Sequence, residues 1–205
     1  MNAANDVAVC AGCGEAFKLS EIMEDASDPA FDPLSPPAGA WFEQGVNGWT
    51  VGASTRSYMA FFLVPFMCIW SGGSHGGIYG TQFYFHKFTL ILSLFGIPFL
   101  LGSILLGTAA LMAIFGKVTL TIEYDEAMLF TGIGPIGWRR RFLFSDISRV
   151  EETTRWRGGQ NTNGTTRVIS LEGKRRVVFG NQLNEARRYF VVQCIRRMLG
   201  QQKRR

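Results

Sequence analysis

Apolar residues follow three different rhythms along this chain. From Phe88 to Phe115 the run FTLILSLFGIPFLLGSILLGTAALMAIF continues for 28 residues without Asp, Glu, Lys or Arg. About 20 helical residues, at ~1.5 Å each, cross a hydrocarbon core ~30 Å thick. A signal-peptide apolar segment is shorter and sits at the start of a chain, so the pattern predicts a membrane span at about 88–115. A second uncharged run, Tyr58 to Trp70, has only 13 residues. Arg56 lies outside one end and Trp70 closes the other, as a cytoplasmic base and an interfacial aromatic would. Extension through Ser71-Gly72-Gly73 predicts a first span at about 58–73, with Pro65 tolerated inside it. The glycine-rich stretch 71–87 then reads as a connecting loop.

After Lys117 the rhythm changes to short alternating segments. Val118, Leu120 and Ile122 alternate with Thr119, Thr121 and Glu123, and turns follow at 124–126 and 132–135. Ile136 to Phe144 predicts a strand whose even positions are Ile136, Trp138, Arg140, Phe142 and Phe144. Further strands are predicted from Ile147 to Glu152, Thr165 to Leu171 and Arg175 to Phe179, the last two forming a hairpin around Gly173-Lys174. Leu183, Arg187, Phe190, Val191, Cys194, Ile195, Met198 and Leu199 recur at helical spacing, with Asn181 or Asn184 as a cap and Arg188, Arg196 and Arg197 on the other faces. Ahead of the spans, Trp41 to Ser57 reads as strand and turn around Asn47-Gly48, able to return to the later domain's sheet. The resulting order is a flexible, proline-rich segment at 1–40, juxtamembrane strands at 41–57, two spans and their loop at 58–116, and a domain at 117–205.

Charge divides at the spans. Residues 1–56 carry two bases and eight acids, residues 117–205 carry 18 bases and eight acids, and the loop's only base is Lys87. The positive-inside bias therefore predicts an integral protein of the cell (inner) membrane, multi-pass, with both termini cytoplasmic. The run Arg139, Arg140 and Arg141, with Arg155, Arg157, Lys174, Arg175 and Arg176, forms a candidate surface for anionic lipid or a protein partner. The competing reading is a solvated basic face that only sets topology.

Other chemistry is sparse. Cys10-x-x-Cys13-Gly14 matches one knuckle of a zinc ribbon, half of a tetrahedral site with no second Cys-x-x-Cys. Zinc at Cys10 and Cys13 would need ligands from a second chain or from an acid such as Glu15; the alternative is a degenerate ribbon with two free thiols. His75 and His86 read either as metal or pH groups or as polar tips at headgroup level. No Ser-His-Asp order, P-loop or HExxH occurs. Trp156 between Arg155 and Arg157 is the one aromatic-basic interleaving in a loop, and nucleic acid is not predicted as a partner. Gly102, Ser103 and Gly107 form a small-residue face for the first span or, as the sharper reading, for a homodimer.

The segments VTLTIEYDEAMLFTGIGPIGWRRRF, FLFSDISRVEE and KRRVVFGNQLNEARRYFVVQCIRRML, in this order behind a span–loop–span insertion, resemble bacterial PH-like (pleckstrin-homology-like) domains of small two-span membrane proteins. The likeness covers about residues 41–200. It implies a membrane α-helical hairpin plus a small mainly-β barrel closed by one C-terminal helix, and it transfers no catalytic residue. The expected function is that of a non-enzymatic, membrane-anchored binding or scaffold module. The alternatives are an accessory subunit of a membrane enzyme or transport complex, or a sensor of anionic lipid. No cofactor or small-molecule substrate is expected.

Overall fold

The computed structural model describes residues 7–9, 16–18, 28, 31–156 and 165–202. The chain forms two compact units, one from Met1–Ala53, Val118–Phe130 and Arg139–Arg205, the other from Ser54–Lys117 with Thr131–Trp138.

The first unit is mainly β. Short strands β1 (Val7–Val9) and β2 (Ala16–Lys18) pair antiparallel, and the stretch holding Cys10 and Cys13 lies between them, outside the described residues. Strands β3 (Ala40–Gln44) and β4 (Gly48–Ser54) form a hairpin from Ala40↔Ala53 to Gln44↔Trp49. They lead a five-stranded sheet of order β3-β4-β5-β6-β7, with β5 at Gly116–Glu123, β6 at Glu126–Ile133 and β7 at Ile136–Leu143. The alternation in β5 decides its face: Val118, Leu120 and Ile122 are buried, while Lys117, Thr119 and Thr121 are half-buried.

A 3₁₀ turn, Phe144–Asp146, then leaves that sheet. Asp125 holds it, accepting from Ser145 N at 2.8 Å and Ser145 Oγ at 2.6 Å, while Phe144 N donates to Asp125 O at 2.7 Å. Strands β8 (Ile147–Trp156), β9 (Thr165–Gly173) and β10 (Val177–Phe179) make a separate three-stranded sheet. The expected closed barrel is therefore corrected to two antiparallel sheets. Periodicity marks strands but not their partners, and the turn after β7 ends one ladder before the next begins. The core joins both sheets through Val51, Leu120, Val150, Ile169, Leu171 and Ile195, with Trp49 and Phe144 edge to face at 5.6 Å.

The C-terminal helix, Glu185–Gln202, starts where Asn184 Oδ1 accepts the Arg187 amide at 2.9 Å, an N-cap bond. Its burial departs from the predicted stripe, since every residue from Phe190 to Ile195 is buried. The reason is a strap. Asp28 and residues 31–39, expected as flexible linker, lie along the helix. The Asp28 amide donates to buried Gln193 Oε1 at 3.0 Å, Arg187 Nε to Ala38 O at 2.9 Å, and Arg197 NH1 to Phe31 O at 2.7 Å. Phe31 packs 5.5 Å from the Phe190 ring. Prolines exclude helix here, but an extended chain docks well because its carbonyls remain available to arginine.

Arg188, predicted on an outer face, is also buried. It donates to Glu152 Oε1 at 2.6 Å and to Leu183 O at 3.1 Å.

In the second unit, helix α1 (Met59–His75, 17 residues) continues through a π-helical turn, Gly76–Gly80, into α2, Thr81–Tyr84. The predicted loop of 71–87 thus shrinks to residues 85–89. Glycine disfavours helix by about 1 kcal/mol relative to alanine, which is why this stretch reads as a loop. Side-chain bonds offset the penalty: Thr81 Oγ1 donates to Gly77 O, and Gln82 Nε2 to Ile78 O at 2.9 Å. Helix α3 (Leu90–Phe115, 26 residues) is the one described helix both long and apolar enough to cross a membrane, and only 11% of its most apolar window is buried. Its buried residues are Gly96, Ser103 and Ala110, a regularly spaced seam of small side chains. Helix α1 fills this seam: Ser103 Oγ lies 3.0 Å from His75 Nε2, and a Cβ on Gly107 would sit 3.1 Å from Met67 Cε. Ser103 and Gly107 of the small-residue face thus pack on α1.

Arg188→Ala is expected to destabilise the chain by about 1–3 kcal/mol, because Glu152 would lose its partner and Leu183 O its buried donor, while water can reach the partly exposed carboxylate. Arg188→Met combined with Glu152→Leu should recover most of that loss. Denaturant unfolding in detergent, followed by tryptophan fluorescence, measures both.

Candidate functional site

The expected basic surface is divided rather than gathered. Arg139, Arg140 and Arg141 stand exposed on β7, an edge strand of the five-stranded sheet. Side chains alternate, so Arg139 and Arg141 share one face and Arg140 takes the other. The Arg139 guanidinium lies 5.5 Å above the Phe130 ring on neighbouring β6, a cation–π contact that fixes its stem. The chain from Ala127 to Ser145 contains no acid, so the hairpin that carries the three guanidinium groups has Glu126, at the far end of β6 from the tip, as its only acid.

Lys174, Arg175 and Arg176 follow β9 in the connection to β10. The Lys174 amide donates to Asp146 O at 3.2 Å, which seats this turn on the 3₁₀ turn after β7, at the opposite end of that strand from Ile136. Two of the three engage their own domain. Lys174 Nζ meets Asp146 Oδ1 at 2.8 Å, and that hydrogen bond and charge raise the ammonium above its ordinary range. Arg176 Nε donates to Ser170 Oγ at 2.9 Å and lies 3.8 Å from Glu172 Oε1. Arg175 is exposed. Arg155 belongs to β8, and Arg157, like Cys10 and Cys13, falls outside the described residues. Charge counting cannot separate these groups, because it does not say which turn each base caps or which acid faces it.

Two residues that belong with Arg139 to Arg141 are visible in the sequence only as strand positions. Ile136 is 80% and Trp138 69% exposed, and both share a face with Phe142, which packs against the core. The signal is the switch on one strand face from apolar (Ile136, Trp138) to cationic (Arg140) to core (Phe142).

Elsewhere the chemistry is quiet. Among the described residues no group of three or more His, Cys, Asp or Glu side chains could hold a metal. His75 Nε2 pairs with Ser103, and its buried Nδ1 has no hydrogen-bond partner. An open cleft of ≈ 730 Å³ between strap and C-terminal helix is lined by Asp28, Phe31, Asp32 and Tyr189. Burial, together with the bond to Asp28, raises the Tyr189 phenol. Burial pushes the Cys194 thiol up to about 12, the nearby Arg197 charge opposing this, so Cys194 is no thiolate nucleophile at neutral pH.

Comparison with protein-family models, with curated proteins and with solved structures found no match to this chain.

Because Cys194 holds its proton more tightly when folded, its contribution to stability is complete below its ordinary value near 9 and is lost as pH rises toward 12. Stability should therefore fall across pH 9 to 12, by at most about 1.4 kcal/mol per pH unit from this group. Cys194→Ala is expected to flatten the fall, read from unfolding midpoints of both proteins over that range. An identical fall in the variant would assign it to other groups.

Proposed function

We propose that this chain is a non-enzymatic, membrane-anchored binding module: a two-span hairpin in the cell's inner membrane that carries a PH-like domain on the cytoplasmic side. One observation carries the reading. The helical hairpin is inserted between β4 and β5, which are hydrogen-bonded neighbours in one sheet. Thr50 Oγ1 donates to Thr121 Oγ1 at 3.3 Å, and the Thr55 amide to Gly116 O at 2.9 Å. A chain that crosses a bilayer once between two paired strands would leave them on opposite sides. If α3 spans, residues before it must cross as well. The 17, 5 and 4 helical residues of α1, the π turn and α2 together match α3's 26. At ~1.5 Å each they reach beyond a ~30 Å core.

The exposed flanks support the same reading. Phe61, Phe62, Ile69, Ile91, Leu94 and Leu105 are more than half exposed, on helices that carry no Asp, Glu, Lys or Arg. Such surface is stable against lipid and costly against water. The basic balance of 117–205 and the single base of the short loop favour a cytoplasmic domain. The PH-like reading rests on the sequence resemblance, and the exposed β7 arginines suit binding rather than turnover.

Lys87→Cys, in the 85–89 loop, should react with an impermeant maleimide in intact cells, whereas Tyr124→Cys, in the β5–β6 turn, should react only after lysis. Both reacting before lysis, or both only after it, would rule out the proposed topology.

A further inference from the structure

We propose that the tip of the β6–β7 hairpin is a lipid-contacting wedge, with Ile136 and Trp138 entering the interfacial layer of an anionic leaflet and Arg139 to Arg141 engaging its phosphates. This rests on the membrane-anchored reading above.

Register sets the level of the tip. β5 begins at Gly116, the residue after the last of α3. β5 and β6 are each eight residues long and are joined by the short turn Tyr124-Asp125, so β6 returns at Ile133 to the level of Gly116. A Cβ on Gly132 would meet Ile136 O and Gly137 Cα, which puts Ile136 beside that same end. Ile136 therefore starts level with the end of the span, and each later residue of β7 moves about 3.3 Å away. The compact unit that contains the helices also contains Thr131–Trp138.

Chemistry then selects the occupant. Ile136 and Trp138 share one face of β7, and they are 80% and 69% exposed. An exposed isoleucine and tryptophan just ahead of three arginines match a headgroup layer, where indole sits at the polar boundary and guanidinium forks bind phosphate oxygens. With no acid from Ala127 to Ser145 and Glu126 at the far end of β6, the charge near the hairpin's tip is positive and complementary to anionic lipid. The Lys174–Arg176 turn is excluded, because it lies at the other end of β7 and pairs with Asp146 and Glu172.

An environment-sensitive fluorophore on the full chain in lipid nanodiscs, one chain per disc, tests this. It is attached through Ile136→Cys, Leu101→Cys or Tyr124→Cys, each made with Cys10→Ser, Cys13→Ser and Cys68→Ser. Position 101 should emit blue-shifted in both phosphatidylcholine discs and discs containing phosphatidylglycerol, and position 124 should emit as in water in both. Position 136 should shift to the blue only with phosphatidylglycerol and lose that shift when Arg139→Glu and Arg141→Glu are added. A water-like probe at 136 beside a blue-shifted one at 101 would overturn the wedge and leave the anchoring intact. A shift at 136 that ignores lipid charge and the reversal would mean that protein or neutral lipid covers the tip without help from the arginines. One that appears only with two chains per disc would mean a second copy covers it; either overturns the wedge. A water-like probe at 101 would overturn the anchored reading and the wedge with it.

Discussion

Everything in the second unit depends on how the last turn of α3 satisfies its carbonyls. A helix end leaves four acceptors without intrahelical partners, and under the membrane-anchored reading they sit at a bilayer edge with little water to turn to. Here the segment after β4 supplies the donors. Thr55 Oγ1 donates to Met112 O at 2.7 Å, the Ser57 amide to Ala113 O at 3.0 Å, and Arg56 Nε to Ile114 O at 3.0 Å. Arg56 also places a cation where the helix dipole is negative. Residues 54–57 thus end one strand, lead into α1 and close the end of α3. No linker separates Phe115 from Gly116, so α3 passes directly into β5.

The elements with a strong period are legible in the sequence, and their partners are not. The uncharged run over α3 and the alternation of Val118, Leu120 and Ile122 follow directly from the need to bury or expose one kind of side chain. The Asn184 cap and the apolar spacing of the C-terminal helix are readable for the same reason. The strap is not, because several of its contacts join backbone groups to distant side chains, the Ala38 and Phe31 carbonyls to Arg187 and Arg197 and the Asp28 amide to Gln193, and a backbone group has no letter in the sequence. Arg188 reads as an outer residue because arginine usually is one; Glu152, 36 positions away, and the Leu183 carbonyl make its burial possible. The glycines of 76–80 signal a loop through their cost in a helix, whereas the hydroxyl and amide of Thr81 and Gln82 hold that turn helical.

The candidate surface shows the same split between composition and placement. Eighteen bases from Lys117 to Arg205 suggest one broad cationic face, yet several are engaged inside the fold. Arg188 is buried on Glu152, Arg187 and Arg197 hold the strap, Arg149 meets Glu151 at 2.8 Å, and Lys174 meets Asp146. What distinguishes Arg139 to Arg141 is the stretch without acids around them and the exposed Ile136 and Trp138 that precede them on β7.

The insertion of the helical hairpin between β4 and β5 also bears on how the chain folds. Thr50 and Thr121 touch across 71 positions, and closing so long a loop in solution carries an entropic cost that grows with the logarithm of its length. During synthesis β4 emerges long before β5 and has only β3 to pair with, so one of its edges stays open. Under the two-span reading, a bilayer that takes up the hairpin brings the two strand ends together before they pair. The lipid then acts as a folding template: the central pairing of the five-stranded sheet forms only after insertion, and a chain that fails to insert keeps a sticky strand edge that marks it for aggregation or removal.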